Sequence, residues 1–299
     1  MKTQIQLKRK LTMINKISQK IMLILLLISF CFGYFSNILF KHYSKDDITL
    51  VTALFKIKSK FSFDKYLLWV ENLLLLNRSI VFFVDKTISN IVKSKRPKLY
   101  ENKTLWIELS IDQFYSYKKF RKNFAESYIK DKEKAYHSIP LYLVWAEKCY
   151  FVKKAIKYNY FQSQCFYWID AGFFRDKIDK YINNWPTIKK CKEDPRVLIN
   201  GMREISDQEI LDLKNINISF YNNYFINKIN VGGGLFGGKP YYLLKFINLY
   251  YNTIKKFIKN NLFIGKDQNL FAYISYLNPK IVKIINSGIW RYFKVYLSE

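Results

Sequence analysis

The chain has 299 residues, half of them hydrophobic and 18% aromatic, which is enough for one large domain with a sizeable core and argues against long disordered regions. Its formal net charge of +27 comes from lysine and arginine residues spread along the whole sequence, so no concentrated basic patch indicates a specific nucleic-acid partner. The four cysteines form no CxxC pair and only two histidines are present, which argues against a cysteine/histidine zinc site. One disulfide among Cys149, Cys165 and Cys191 is compatible with the sequence but is not required by it.

The amino-terminal region combines a basic segment without acidic residues, 1–20, with twenty uncharged and mostly apolar residues, 21–40. An apolar run of this length matches the thickness of a bilayer core, and the positive-inside rule places the basic flank in the cytosol. We therefore expect a cytosolic tail over 1–20, a transmembrane signal anchor over 21–40 and a domain over 45–299 outside the cytosol. That side is the Golgi or ER lumen if the source is eukaryotic or viral. A cleaved signal peptide and a buried core helix are the alternatives.

Beyond the anchor, short apolar segments alternate with helical ones, which predicts an α/β domain with a mostly parallel central sheet. The first apolar segment, Ile48–Phe55, is uncharged and rich in β-branched residues, whereas the first helical segment is amphipathic. The segment 176–215 is polar and predicts a loop with a short helix. The predicted elements are a strand over Ile48–Phe55, a helix over Phe61–Leu76, strands over Ser79–Asp85 and Thr104–Ser110, helices over 112–135 and 140–160, and a strand ending at Ile169.

The segment FYWIDAGFFR, Phe166–Arg175, delivers one carboxylate to the end of that last strand. Apolar residues run directly into Asp170, and the small residues Ala171 and Gly172 follow. In open α/β folds, ligands bind just beyond the carboxyl ends of such strands, so Asp170 is a candidate to hold a metal ion and the phosphates of a nucleotide. The alternative is a solvated aspartate that begins a turn.

The segment NVGGGLFGGKP, Asn230–Pro240, contains five of the ten glycines of the chain. Clustered glycines let a backbone approach a ligand closely, so we predict a loop that lines a substrate. A glycine-rich turn between a strand and a helix is the alternative. The formal GxGxxG match is not a dinucleotide site, because it lies late in the chain and no acidic residue follows about 20 positions later. Pro240 also occupies the position where a phosphate-binding P-loop requires Ser or Thr.

The segment GKDQNLF, Gly265–Phe271, places Asp267 and Gln268 where a loop enters an apolar helix. Asp267 is either a helix N-cap or a carboxylate that takes a proton from an acceptor hydroxyl or hydrogen-bonds a sugar. Lys266 either offsets the charge of a pyrophosphate or is a solvated surface lysine.

Taken in order, the stretches VTALF, IPLYLVWAEKCYFVKKA, FYWIDAGFFR, GGGLFGG and GKDQ resemble the HtrL/YibB (WlaTC/HtrL) family of predicted glycosyltransferases. The resemblance covers about residues 48–275. It implies a single GT-A-like, Rossmann-like domain that moves a sugar from a nucleotide-sugar donor to a glycan, lipid or protein acceptor. It also implies that Asp170 holds Mn²⁺ or Mg²⁺ against the donor diphosphate. The family's GGG loop and DQ pair correspond to Gly232, Gly233, Gly234, Asp267 and Gln268, which would bind the donor or acceptor.

The chain departs from the GT-A pattern at two points. The second aspartate of a DxD motif is replaced by Gly172, and no histidine follows His137. A single carboxylate can still hold Mg²⁺ together with waters and phosphate oxygens; alternatively, Arg175 and nearby lysines take the place of the metal. Asp267 would act as the base in an inverting reaction and would position the sugar in a retaining one. The alternative function is a basic, membrane-tethered binding protein for glycan, nucleic acid or anionic lipid, built on an inactive transferase fold.

Overall fold

The computed structural model describes residues 43–286, 288 and 290–299. The predicted tail 1–20 and anchor 21–40 lie outside the described residues. Among the residues that are described, no helix is both long enough and apolar enough to cross a membrane. Residues Ser44–Glu299 form one compact unit.

Within the described residues, seven strands form one sheet, and they are mostly buried on both faces, as expected for a sheet covered by helices. In chain order the strands are β1 (Ile48–Leu54), β2 (Ser79–Asp85), β3 (Thr104–Leu109), β4 (Cys165–Ile169), β5 (Val197–Gly201), β6 (Val231–Gly238) and β7 (Val282–Asn286). Across the sheet their order is β3-β2-β1-β4-β6-β5-β7, and every neighbouring pair is parallel except the two pairs that β6 makes. The predicted mixed α/β fold with a mostly parallel sheet is confirmed.

Several helices begin at a residue whose side chain caps them. Ser62 and Ser138 each accept a hydrogen bond from a backbone N–H of the helix that follows them, at Lys65 and Leu141 respectively. The helices of the described region are α1 (Phe63–Leu74), α2 (Ser89–Lys93), α3 (Tyr115–Ile129), α4 (Ile139–Tyr158), α5 (Lys189–Glu193), α6 (Asp207–Lys214), α7 (Ile218–Asn223), α8 (Pro240–Lys259), α9 (Asp267–Leu277) and α10 (Trp290–Tyr296).

The strand order creates a switch point between β1 and β4. From β1 the chain builds outward through β2 to β3, and it then returns to the opposite side of β1 to form β4. The carboxyl ends of β1 and β4, at Leu54 and Ile169, face the same edge because the two strands are parallel. A crevice beyond the carboxyl ends of strands at such a point is where open α/β sheets bind ligands.

Two sequence predictions for the chain beyond β4 are wrong. The segment 176–215 is more than loop and short helix, because it contains the buried strand β5. The glycine-rich segment is a strand, β6, whose eight residues are all buried between β4 and β5. The glycines are needed there for space: a Cβ on Gly237 would lie 2.1 Å from the Tyr167 ring, and one on Gly238 would lie 2.4 Å from the carbonyl oxygen of Arg196.

We expect Gly237→Ala to lower the free energy of unfolding by about 3 kcal/mol, because the added methyl overpacks a closed sheet position. Urea unfolding followed by circular dichroism measures this loss. Gly233→Ala in the same strand is the matched control, since its Cβ would meet its nearest atoms at 3.1 Å, and its loss should be smaller. Equal losses for the two variants would contradict the steric explanation for β6.

Candidate functional site

The centre of the candidate site is the buried ammonium group of Lys148, on α4. Its Nζ lies 2.9 Å from Asp170 Oδ1 and 2.8 Å from Asp267 Oδ2, both as ion pairs. It also donates a hydrogen bond of 3.0 Å to the backbone oxygen of Gly233, in β6. Asp170, Asp267 and Gly233 were all predicted site residues, and the structure brings them together around a cation that the sequence analysis did not single out.

Lys148 belongs to a pair of adjacent charges in a largely apolar helix. Both Lys148 and its neighbour Glu147 are buried, which is rare for charged side chains unless they are paired. Glu147 accepts hydrogen bonds from the backbone N–H groups of Tyr115 and Ser116, at 2.9 and 2.8 Å, and thereby satisfies the start of α3. The sequence signal for this site is therefore the charged dipeptide Glu147-Lys148 within the apolar stretch IPLYLVWAEKCYFV. Glu147 supports the fold, whereas Lys148 reaches the site.

The charges of the three side chains are strongly coupled. Burial by itself disfavours the charged ammonium, but the attraction of Asp170 and Asp267 outweighs it and raises the pKa of Lys148 above its ordinary value. Burial raises the pKa of Asp267, against the pull of Lys148 in the opposite direction. Asp267 Oδ2 has no hydrogen-bond partner among the described residues, so the lysine charge is what offsets its burial.

Asp170 is the exposed member of the group. It follows β4 directly, and its backbone N–H donates to the Gly234 oxygen at 2.8 Å, which fixes the residue against β6. Its Oδ1 accepts a hydrogen bond of 2.7 Å from the Trp168 indole in addition to the Lys148 contact. The side chain is 40% exposed, in contrast to 6% for Asp267. Within the described part of the chain, Oδ2 of Asp170 has no such partner, so it is the carboxylate oxygen available to a ligand.

Two adjoining cavities share Asp170, Gly172 and Arg175. The larger, of about 480 Å³, is an open cleft that is also lined by Asp176 and Lys294. The smaller, of about 130 Å³, is a mostly apolar slot at the carboxyl end of β1. Its aromatic lining residues are Phe55, Phe63, Tyr66, Trp145 and Trp168.

Arg175 lies at the boundary of the cleft and the slot. Its guanidinium group is 4.6 Å from the centre of a Trp69 ring and 5.1 Å from that of Phe61. This stacking holds the side chain in place while the charge remains next to both cavities. Gly172 leaves room for this arrangement, since a Cβ there would lie 2.9 Å from Trp69.

The other predicted site residues are placed differently. Gly232 and Gly234 are buried in β6 on either side of Gly233, and only Gly234 lines the cleft. Lys266 and Gln268 line a third cavity, of about 280 Å³, and Lys266 is ion-paired with Glu133. Asp267 is the first residue of α9 and accepts from the Gln268 N–H at 2.7 Å, but it is not the N-cap.

The donor set around Asp170 does not fit a metal site built from two carboxylates. Asp267 already faces Lys148, so a divalent ion would find one open oxygen with the lysine charge beside it. In the described residues, Asp131, Glu133 and His137 form a separate cluster of possible metal ligands. There Asp131 already accepts from the Glu133 N–H at 2.9 Å and contacts His137 Nδ1 at 2.6 Å, so these groups hold a turn.

Comparison with known proteins gives one finding about the family and none about the activity. A family model described as "Bacterial protein of unknown function (HtrL_YibB)" matches residues 46–298, a span that includes every residue of the site. No curated protein sequence matches the chain. What the site does must therefore be argued from its residues.

Proposed function

The chain belongs to the HtrL/YibB family, and we propose that it is a glycosyltransferase that moves a sugar from a nucleotide-sugar donor to a hydroxyl of a glycan, lipid or protein acceptor. One observation carries this proposal: Asp170 lies where a slot lined by aromatic rings meets a cleft lined by charged side chains, at the switch point of the sheet. A nucleotide-sugar has the same two parts, a flat base and a polar diphosphate-sugar.

The slot suits the base of the donor. It lies beyond β1, is about 130 Å³ in volume, and is lined by rings that include Tyr66, Trp145 and Trp168. Aromatic and aliphatic walls of this kind favour a flat heterocycle, which they remove from water.

The open cleft suits the diphosphate and the sugar. Among the described residues of its lining, Arg175 and Lys294 are the cations, and charge-assisted hydrogen bonds from such groups stabilise phosphate oxygens. In the transfer, a bond forms between the acceptor oxygen and the anomeric carbon, while the bond from that carbon to the phosphate oxygen breaks. The nucleoside diphosphate leaves with the electron pair, and Arg175 and Lys294 offset its growing charge.

The acceptor proton needs a base if the reaction inverts the anomeric centre. Asp267, which the sequence predicts as this base, lies beside Lys148, and only 6% of its side chain is exposed. Oδ2 of Asp170 is the carboxylate oxygen of the group that is available to a ligand, so we assign it the role of the base that accepts the hydroxyl proton. In a retaining reaction the same oxygen would accept a hydrogen bond from a sugar hydroxyl.

The disulfide between Cys165 and Cys191 supports a location outside the cytosol. Disulfides form and persist in oxidising compartments such as the ER lumen, the periplasm or the cell surface. Together with the predicted anchor over residues 21–40, this favours a membrane-tethered enzyme with its catalytic domain on the non-cytosolic side. No specific nucleic-acid partner is part of the proposal.

A non-catalytic binding protein is the second candidate. The burial of Asp267 favours this candidate, because one of the two carboxylates predicted to be catalytic is not accessible from the cleft. Binding of a nucleotide-sugar or glycan without any turnover would distinguish this candidate from an enzyme.

We expect Asp170→Asn to reduce turnover about 100-fold, since the amide keeps the shape of the side chain but cannot take a proton. The assay is release of nucleoside diphosphate by the full chain from a panel of UDP- and GDP-sugars with glycan, lipid and peptide acceptors. Asp179→Asn is the matched control, because it makes the same chemical change at an exposed aspartate outside both cavities. Wild-type turnover by a folded Asp170→Asn protein, or no turnover of any donor by the wild type, would refute the proposed activity.

A further inference from the structure

Three oxygen atoms surround the Lys148 ammonium, and they are of the kind that hard divalent cations prefer. Asp170 Oδ1, Asp267 Oδ2 and the Gly233 carbonyl lie 2.9, 2.8 and 3.0 Å from Nζ. Carboxylate and carbonyl oxygens bind Mg²⁺, Mn²⁺ and Ca²⁺ in proteins at about 2.0–2.6 Å. Here an ammonium that belongs to the chain itself occupies the centre of the group.

The surroundings keep this ammonium in place. Only 3% of the Lys148 side chain is exposed, and α4, which carries it, packs against β1 and β4. Gly233 and Asp267 are already in close contact, since a Cβ on Gly233 would lie 3.1 Å from both Asp267 oxygens. Asp267 Oδ2 depends on the Lys148 ammonium, which lies 2.8 Å away, to offset its burial. A metal ion could enter only by displacing a tethered cation into apolar surroundings, where an unpaired charge is costly.

We propose that Lys148 is a built-in cation that takes the place of a divalent metal ion between Asp170 and Asp267, so that this site binds a nucleoside diphosphate without a metal. The identity of the ligand rests on the proposed function, whereas the replacement of the metal rests on the geometry around Lys148 alone. The diphosphate then meets Arg175 and Lys294, the cations that line the open cleft. The remaining oxygen of Asp170 does not attract a divalent ion strongly, because the positive charge of Lys148 lies on the same carboxylate.

Binding of Mn²⁺ alone tests the replacement directly. The full wild-type chain is titrated with Mn²⁺, and the electron paramagnetic resonance signal reports the free ion. We expect the wild type to bind no Mn²⁺ ion that the Asp170→Asn variant fails to bind. Lys148→Ala empties the centre of the group and should gain one Mn²⁺ per chain, with a rise in Tm when Mn²⁺ is added. Lys148→Met is the matched control, because its neutral chain fills the same space, and it should gain neither. The gained ion should be lost again in the double variant Lys148→Ala/Asp170→Asn.

The wild type decides the question even if the lysine variants do not fold. An ion that binds the wild type and is lost in Asp170→Asn would overturn the proposal, as would a folded Lys148→Ala protein that gains no Mn²⁺. Calorimetry with UDP and GDP tests the ligand. The affinity of the wild type for these nucleotides should be the same within twofold in EDTA and in Mn²⁺. Affinity that appears only with Mn²⁺ would also overturn it. Failure of both nucleotides under both conditions would instead count against the proposed function, while the Mn²⁺ titration would still decide the role of Lys148.

Discussion

Lys148→Met should lower the free energy of unfolding by about 3–5 kcal/mol at neutral pH, which is the usual cost of removing one partner of a buried ion pair. The substitution keeps most of the side-chain volume but leaves Asp170 and Asp267 side by side without the cation between them. Asp267 is the more affected, since it is buried and its Oδ2 has no hydrogen-bond partner in the described residues. Urea unfolding of wild type and variant at pH 7 measures the loss.

The same variant should recover part of its stability in acid. Burial and the charge of Asp170 raise the pKa of Asp267 above its ordinary value of 3.8, and loss of Lys148 raises it further. A carboxyl group with a raised pKa binds its proton more tightly in the folded than in the unfolded protein. Its contribution to stability therefore grows as the pH falls from 7 through the raised pKa, and levels off below 3.8. The difference from wild type should thus shrink as the pH falls from 7 towards 3.8.

Lys153→Met is the control for both measurements. Lys153 lies on the same helix, five residues further along, but it is exposed. Its replacement should change the unfolding free energy by no more than about 0.5 kcal/mol and should add no new pH dependence. Equal losses in the two variants, or a Lys148→Met deficit that does not change with pH, would contradict the buried ion group.

Removal of the Cys165–Cys191 disulfide should cost about 3.5 kcal/mol, because the bond spans 26 residues and restricts the unfolded chain accordingly. For a domain of this size the loss corresponds to a fall in Tm of about 10 °C. The loop that the bond closes carries Asp170, Arg175 and Asp176 of the open cleft. We therefore expect Cys165→Ala/Cys191→Ala to weaken nucleotide binding as well as to lower Tm.

Cys149→Ala separates the crosslink from the loss of buried sulfur. Cys149 is a free cysteine as deeply buried as the two disulfide cysteines, so its substitution shows the cost of losing one such sulfur without opening a loop. Differential scanning calorimetry compares the variants. If the double variant melted at the same temperature as Cys149→Ala, the disulfide would contribute nothing to the stability of this domain.

Local sequence patterns were sufficient for the first half of the fold. The predicted strands over Ile48–Phe55, Ser79–Asp85 and Thr104–Ser110 agree with β1, β2 and β3 to within one residue. The amphipathic helix predicted over Phe61–Leu76 corresponds to α1, in which Trp69 and Leu73 are buried. The strands are short apolar runs and the helix is amphipathic, and each of these patterns can be recognised within the segment itself.

Local patterns were insufficient where a segment gains its structure from its neighbours. The five glycines of β6 have low strand propensity, and they form a strand because β4 and β5 pair with them on both sides. At Gly237 and Gly238 a side chain would clash with Tyr167 and Arg196. The strand β5 is hidden for a related reason, because it is only five residues long within a polar segment. Its partners β6 and β7 supply the hydrogen bonds that define it.

An apolar run and the turn after it were enough to predict that Asp170 follows a buried strand at an edge where α/β sheets bind ligands. The burial of Asp267, the available oxygen of Asp170 and the position of Lys148 between the two carboxylates could not be predicted in this way. These contacts join residues that lie far apart in the chain. The energy of a buried charge depends on the oxygen atoms that folding places around it, and a local pattern does not contain that information.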